Sequence, residues 1–201
     1  MSDINYNDIL YTLTNGTFTI SSDETPPIVT NASANPSIIL NDNGRARPLG
    51  TNISILNVTV YDTGSGVSNV TVNLSAIGGS HVQPMERIPE TDIWTVTTNA
   101  TCGINFTHEL IVNATDKEGN SNTSVTISLE VLKRGDVVRD NEIDMIDALY
   151  IVRYTLHFVP EPPVLVSDVV GAGGSPIGDM KVNMKDALYI MRYINGFELK
   201  P

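Results

Sequence analysis

Asp147-Ala-Leu-Tyr-Ile-Val-Arg-Tyr154 recurs as Asp186-Ala-Leu-Tyr-Ile-Met-Arg-Tyr193, with seven of eight positions identical at an offset of 39. Chance does not produce that agreement in a short chain, so the segment is an internal repeat. Between Ala148 and Leu156 the only charge is Arg153, and between Ala187 and Ile194 it is Arg192. At about 3.6 residues per turn, Ala148, Ile151, Val152 and Thr155 share one side of a helix. Ile146, Leu149, Tyr150 and Tyr154 lie toward another. Two such helices cover one side of each other, and a module of about 64 residues has little else to cover the rest. Exposed apolar helix surface marks a partner site.

Gly135-Asp136-Val-Val-Arg-Asp140-Asn-Glu-Ile-Asp144-Met-Ile-Asp147 leads into the first copy. Asp136, Asp140, Asp144 and Asp147 stand at loop positions 1, 5, 9 and 12. That is close to the spacing by which a loop of about twelve residues wraps oxygens around calcium and continues as a helix. Position 7 offers the backbone carbonyl of Glu142. Ile143, at position 8, is apolar, as a short loop-to-loop strand pairing needs. Asp147, at the helix start, also suits the helix dipole. An isolated acidic turn reads as turn former and N-cap. A duplicated cluster of carboxylates instead repels itself unless a cation sits among them.

The second copy keeps Asp179, Asn183 and Asp186 at positions 5, 9 and 12, with Lys181 at 7 and Val182 at 8. Strict register puts Ser175 first, a poor ligand. Ser167-Asp168-Val-Val-Gly echoes Gly135-Asp136-Val-Val-Arg, which makes Asp168 the first ligand and leaves seven extra residues bulging out before Asp179.

This pattern resembles the dockerin family, two calcium loop–helix repeats that plug a module into a cohesin receptor. The resemblance covers about residues 135–198. It departs at position 3, usually Asn or Asp: Val138 stands there in the first copy, and Val170 or Ile177 in the second. A water or backbone oxygen would replace the missing side chain. The resemblance implies two Ca²⁺ ions and a cohesin-like β-sandwich as partner. It carries the partner contacts onto Met145, Ile146, Val152 and Arg153, and onto Met184, Lys185, Met191 and Arg192. The near-identical copies imply pseudo-twofold symmetry.

Upstream, residues 26–132 hold about seven short runs of alternating character, the content of an immunoglobulin-like sandwich. Val58 and Val60, then Val70, Val72 and Leu74, alternate with polar residues. Ile93-Trp-Thr-Val-Thr, Glu109-Leu-Ile-Val-Asn-Ala and Ser124-Val-Thr-Ile-Ser-Leu-Glu-Val follow, with Ile38-Ile-Leu and a weak strand near 82–88. Ala114-Thr-Asp-Lys-Glu-Gly-Asn120 is similar to a turn of bacterial and archaeal Ig-like surface modules. An Ig-like module before a dockerin resembles the X-module–dockerin pair of cellulosome scaffolds. In residues 1–25, two runs flank the hairpin signal Asn15-Gly16, and Glu24-Thr-Pro-Pro27 reads as a domain start. The expected organisation is therefore a hairpin or end of a preceding domain (1–25), an all-β Ig-like sandwich (26–132), a linker (133–135) and a small α domain of two calcium loop–helix repeats (136–198). Phe158-Val-Pro-Glu-Pro-Pro-Val-Leu-Val166 reads as an extended connector lying across the helix pair.

The 201 residues carry a net charge of -11, which argues against nucleic acid and anionic membrane as partners. No run of 18 apolar residues offers a membrane span. The one cysteine, Cys102, reads as a small core residue, and Trp94 likewise as core. No signal peptide is visible, so an exported form would be a piece of a longer chain. Ten Asn-x-Ser/Thr sequons start at Asn15, Asn31, Asn52, Asn57, Asn69, Asn73, Asn99, Asn105, Asn113 and Asn122, none in the repeats. They point to a glycosylated protein of the extracellular space or cell surface. His81, His108 and His157 form no catalytic spacing, and no paired carboxylates suit acid–base work, so an enzyme is not expected. The leading function is calcium-dependent protein–protein binding. The alternative is a structural tail of a surface-layer glycoprotein, with calcium only stabilising the fold. A third reading is an accessory domain of a polysaccharide-degrading enzyme.

Overall fold

Period-two alternation builds the sandwich. In β5 (Ile53–Tyr61), Ser54, Leu56, Val58 and Val60 are buried, while Ile53, Ile55 and Tyr61 face out. In β10 (Phe106–Asp116), Leu110, Val112, Ala114 and Asp116 point inward. The computed structural model describes residues 10–14, 17–41, 52–102, 105–171, 178–199 and 201. Asn15-Gly16, and residues 172–177 with the loop candidates Ser175 and Ile177, lie outside these residues.

One sheet runs β4 (Ile38–Leu40), β12 (Thr126–Leu132), β10, β6 (Val67–Val72), β7 (Gln83–Pro84), with β11 (Ser121–Asn122) also on β10. The other runs β3 (Ile28–Asn35), β5, β9 (Ile93–Asn99), β8 (Glu86–Arg87). The pairs are antiparallel except β4 on β12. The two sheets enclose one apolar core, with Leu56, Val58 and Val60 from one and Val70, Val112 and Leu129 from the other. This all-β sandwich shares its architecture with immunoglobulin-like modules. β1 (Leu10–Thr14) and β2 (Thr17–Ser21) form a separate antiparallel hairpin.

The sequence runs undercounted the strands, because pairs of two residues carry no periodic signal. Val82–Ile88 divides into β7 and β8 around buried Met85. Trp94 is half-buried against the core. Cys102 is exposed rather than core, because the chain leaves the sandwich after buried Ala100.

The C-terminal part is helical: α1 (Met145–Thr155), a four-residue α2 (Val164–Ser167) and α3 (Met184–Ile194). α1 packs on α3 around Ala148, Ile151, Ala187 and Ile190. Both helices start on a capping box, Asp144 with Asp147 and Asn183 with Asp186. Both stop alike: His157 (φ 62) and Gly196 (φ 75) turn left-handed, and Phe158 and Phe197 donate N–H to Arg153 and Arg192 carbonyls. The repeat therefore extends through Phe158 and Phe197.

At its C-terminal end the connector leaves the expected extended course. Its Val166 end is helical and packs with Leu40 and Leu132 of the sandwich. Ile143 and Val182 form no strand ladder; both pack partly buried into the helix core instead. Arg134 is fully buried at the domain junction and donates from Nε and Nη2 to the Asp168 carbonyl, at 3.0 and 2.5 Å.

Candidate metal centre and interaction surface

Each loop is closed by its first and last carboxylates, and all four are buried. Asp136 Oδ1 accepts the Asp140 N–H (3.1 Å) and Oδ2 the Asn141 N–H (2.7 Å). Asp168 accepts N–H from Asp179 (3.0 Å) and Met180 (2.5 Å) in the same way. Asp147 Oδ1 accepts from Val137 (2.6 Å) and Val138 (3.0 Å), and Oδ2 from Asp144 (2.9 Å). Asp186 repeats this with Val169 (2.9 Å), Val170 (3.1 Å) and Asn183 (2.8 Å). Asn141 and Met180 even share a left-handed backbone, at φ 74 and 62. Asp168 is thus the structural counterpart of Asp136, and Val170 that of Val138.

Burial pushes all four carboxyls above the ordinary Asp range, opposed by the N–H donors just named. The charge of Asp136 raises Asp147 further, and that of Asp168 raises Asp186. Two carboxylates per loop thus sit out of water and within reach of each other's field. Lys133 and Arg134 offset part of the charge on Asp136 and Asp168, and hard oxygen donors of this kind are of the class that suits a hard divalent cation. Gly178 is needed for the second loop, since a Cβ there would lie 2.2 Å from Asp168 Oδ2.

The remaining predicted ligands are less drawn in. Asp140 and Asp179 are exposed, and their Oδ1 atoms accept the Glu142 and Lys181 N–H groups. Asp144 and Asn183 cap the helices through Ile146 and Lys185. Among the described residues, three carboxylates come within 4.8 Å of one another only at Asp23, Asp62 and Asp116, not in either loop. That trio joins two loop residues and the last residue of β10, far apart in sequence, which no local spacing reveals. Its oxygens accept N–H groups of Ser65, Gly64, Gly66, Glu118 and Asn120, and the Thr25 hydroxyl holds Asp23 down to about 2.

Of the residues to which the resemblance assigns partner contacts, Met145, Ile146 and Arg153 are exposed on α1, and Met184, Lys185 and Arg192 on α3. Val152 and Met191 are half-buried against the helix core. Arg192 pairs with Glu198 at 3.0 Å beside an open cleft on α3 lined also by Lys185, Leu188 and Tyr189. The structure adds Leu149 and Leu188, 51% and 52% exposed, and Phe158 and Phe197, 73% and 74% exposed. All four obey the offset of 39, so the repeat itself was the signal for them. Among the described residues, this face stays exposed, and the apolar contact between sandwich and helical part gathers at Leu40, Leu132 and Val166.

Sequence reading also missed Asn105, taken there only as a sequon. Its Nδ2 donates to Asp136 Oδ2, across the domain boundary.

No protein-family model matches the sequence, and no curated protein matches it. Among solved structures it is similar to the BIgI domain of beta protein from S. agalactiae, determined bound to CEACAM1. Identity is 18% over 53% of this chain and 99% of that one, with a TM-score of 0.30. No helix among the described residues is long and apolar enough to cross a membrane.

Proposed function

We propose that residues 136–198 are a dockerin-type module that binds a cohesin-like β-sandwich in a calcium-dependent manner. The preceding sandwich is its adjoining X-module-like partner domain. The observation that carries this reading is the duplicated pair of buried carboxylates, Asp136 with Asp147 and Asp168 with Asp186, each bridging the same backbone positions. Side-chain oxygens of Asp136, Asp140, Asp144 and Asp147, with the Glu142 carbonyl, would hold one Ca²⁺. Asp168, Asp179, Asn183 and Asp186, with the Lys181 carbonyl, would hold another. The ion supplies positive charge to groups that otherwise repel. The chain's own part is to bring these oxygens together in the folded state only, so that binding and ordering of the loops are one event.

Ordered loops fix α1 and α3, whose exposed Met145, Ile146, Leu149, Met184 and Leu188 form the gripping face. The ten sequons support an extracellular or cell-surface setting for this module, and catalysis forms no part of the proposal. Binding to a cohesin-type β-sandwich, measured with calcium and with chelator, tests it. Binding lost on chelation is expected; binding indifferent to chelator refutes it.

A structural tail is the second reading, favoured by the buried junction at Arg134, Leu132 and Val166. On that reading, amide protection in the helices falls when the sandwich is removed, even with calcium present.

A further inference from the structure

We propose that Asn105, a side chain of the sandwich, is a positioning residue of the first cation loop, so that this loop draws part of its ion affinity from the neighbouring domain. The proposal rests on the calcium reading above. Asn105 turns both ends of its side-chain amide and its backbone N–H to the junction. Its Nδ2 donates to Asp136 Oδ2, its backbone N–H donates to Asn141 Oδ1 at 2.6 Å, and its Oδ1 accepts the Lys133 N–H. Lys133 Nζ in turn donates to the Asn141 carbonyl. Arg139, inside the loop, reaches back to Glu130 of β12 at 3.1 Å.

An amide that holds one oxygen of a ligating carboxylate fixes which oxygen faces the ion and limits the carboxylate's rotation. Such outer partners typically govern metal affinity by about 10–100-fold. The second loop is built otherwise. Its equivalent carboxylate, Asp168, takes N–H groups of its own loop, and the tie to it comes from Arg134 through a backbone carbonyl. The two loops, alike within themselves, therefore differ in what lies outside them.

The test is calcium calorimetry and hydrogen exchange on the full chain, comparing wild type with Asn105→Ala and Asn105→Leu. Asn105→Leu roughly keeps the size of the side chain and loses the donor without adding charge, and it serves if the alanine variant fails to fold. Expected is a loss of about tenfold or more at one of two sites, with faster exchange confined to residues 136–147 and residues 178–186 unchanged. A purely structural role would loosen both loops together. Two wild-type sites left unaltered by either variant, or both sites weakened equally, overturns the inference alone. A wild-type chain that binds no calcium overturns the calcium reading and this inference with it.

Discussion

Ile151 and Ile190 are symmetry mates in the helix core, both with no exposed surface. Replacing either with Ala removes the same buried atoms from the same packing and costs about 2–5 kcal/mol. A module of this size has about 3–5 kcal/mol in its core to lose. Either variant should therefore leave α1 and α3 largely unfolded in chelator. Calcium at about 100 times its dissociation constant returns about 2.7 kcal/mol per site, about 5 for two sites. The same variants should refold when calcium is added. Far-ultraviolet circular dichroism reads this, because the long helices lie in this domain, and Trp94 fluorescence reports the sandwich, which has its own core. Helix lost in chelator, regained with calcium, and an unchanged Trp94 signal is the expected result. Helix retained in chelator, or lost and not restored by calcium, refutes the linkage between ion binding and folding.

Asp147→Ala and Asp186→Ala each strand three N–H groups, so each should lower calcium stoichiometry from two to one by calorimetry. Leu149→Asp with Leu188→Asp should abolish partner binding in a surface-capture assay while changing stability by no more than about 0.5 kcal/mol, because both side chains are already exposed. In chelator, the raised loop carboxyls contribute stability that is fully present below their unfolded value of about 4 and is lost as pH rises through their folded values. Urea midpoints of the helical signal should therefore fall from mildly acidic to neutral pH, and calcium should cancel the fall. Glycopeptide mapping of protein from its native host should find Asn105 unmodified, since its Nδ2 is engaged at Asp136, whereas Asn69 and Asn113 stand exposed on the sheet.

What the sequence made legible was what repeats locally. The offset of 39 located both helices, and the Asp168 echo of Asp136 located the start of the second loop across an insertion. Strand alternation gave the sandwich because one face of each sheet must be apolar. What escaped was contact between distant segments. Asn105 meets Asp136 over 31 residues, and Asp23, Asp62 and Asp116 converge from distant parts of the chain. No periodicity records such meetings. Asn105 was further hidden because a sequon explains an Asn-x-Thr without reference to its neighbours. Cys102 was misplaced because composition says where cysteines usually go, not where a strand ends. The connector's turn of helix at Val164–Ser167 was masked by its prolines, the last of which precedes the first helical residue, where proline does no harm.

Calorimetric titration of the full chain with calcium, after exhaustive chelation, tests the central claim most directly. The account predicts saturable binding of two ions per chain together with a rise in the urea midpoint of the helical signal. Absence of binding with the helices already formed would contradict it.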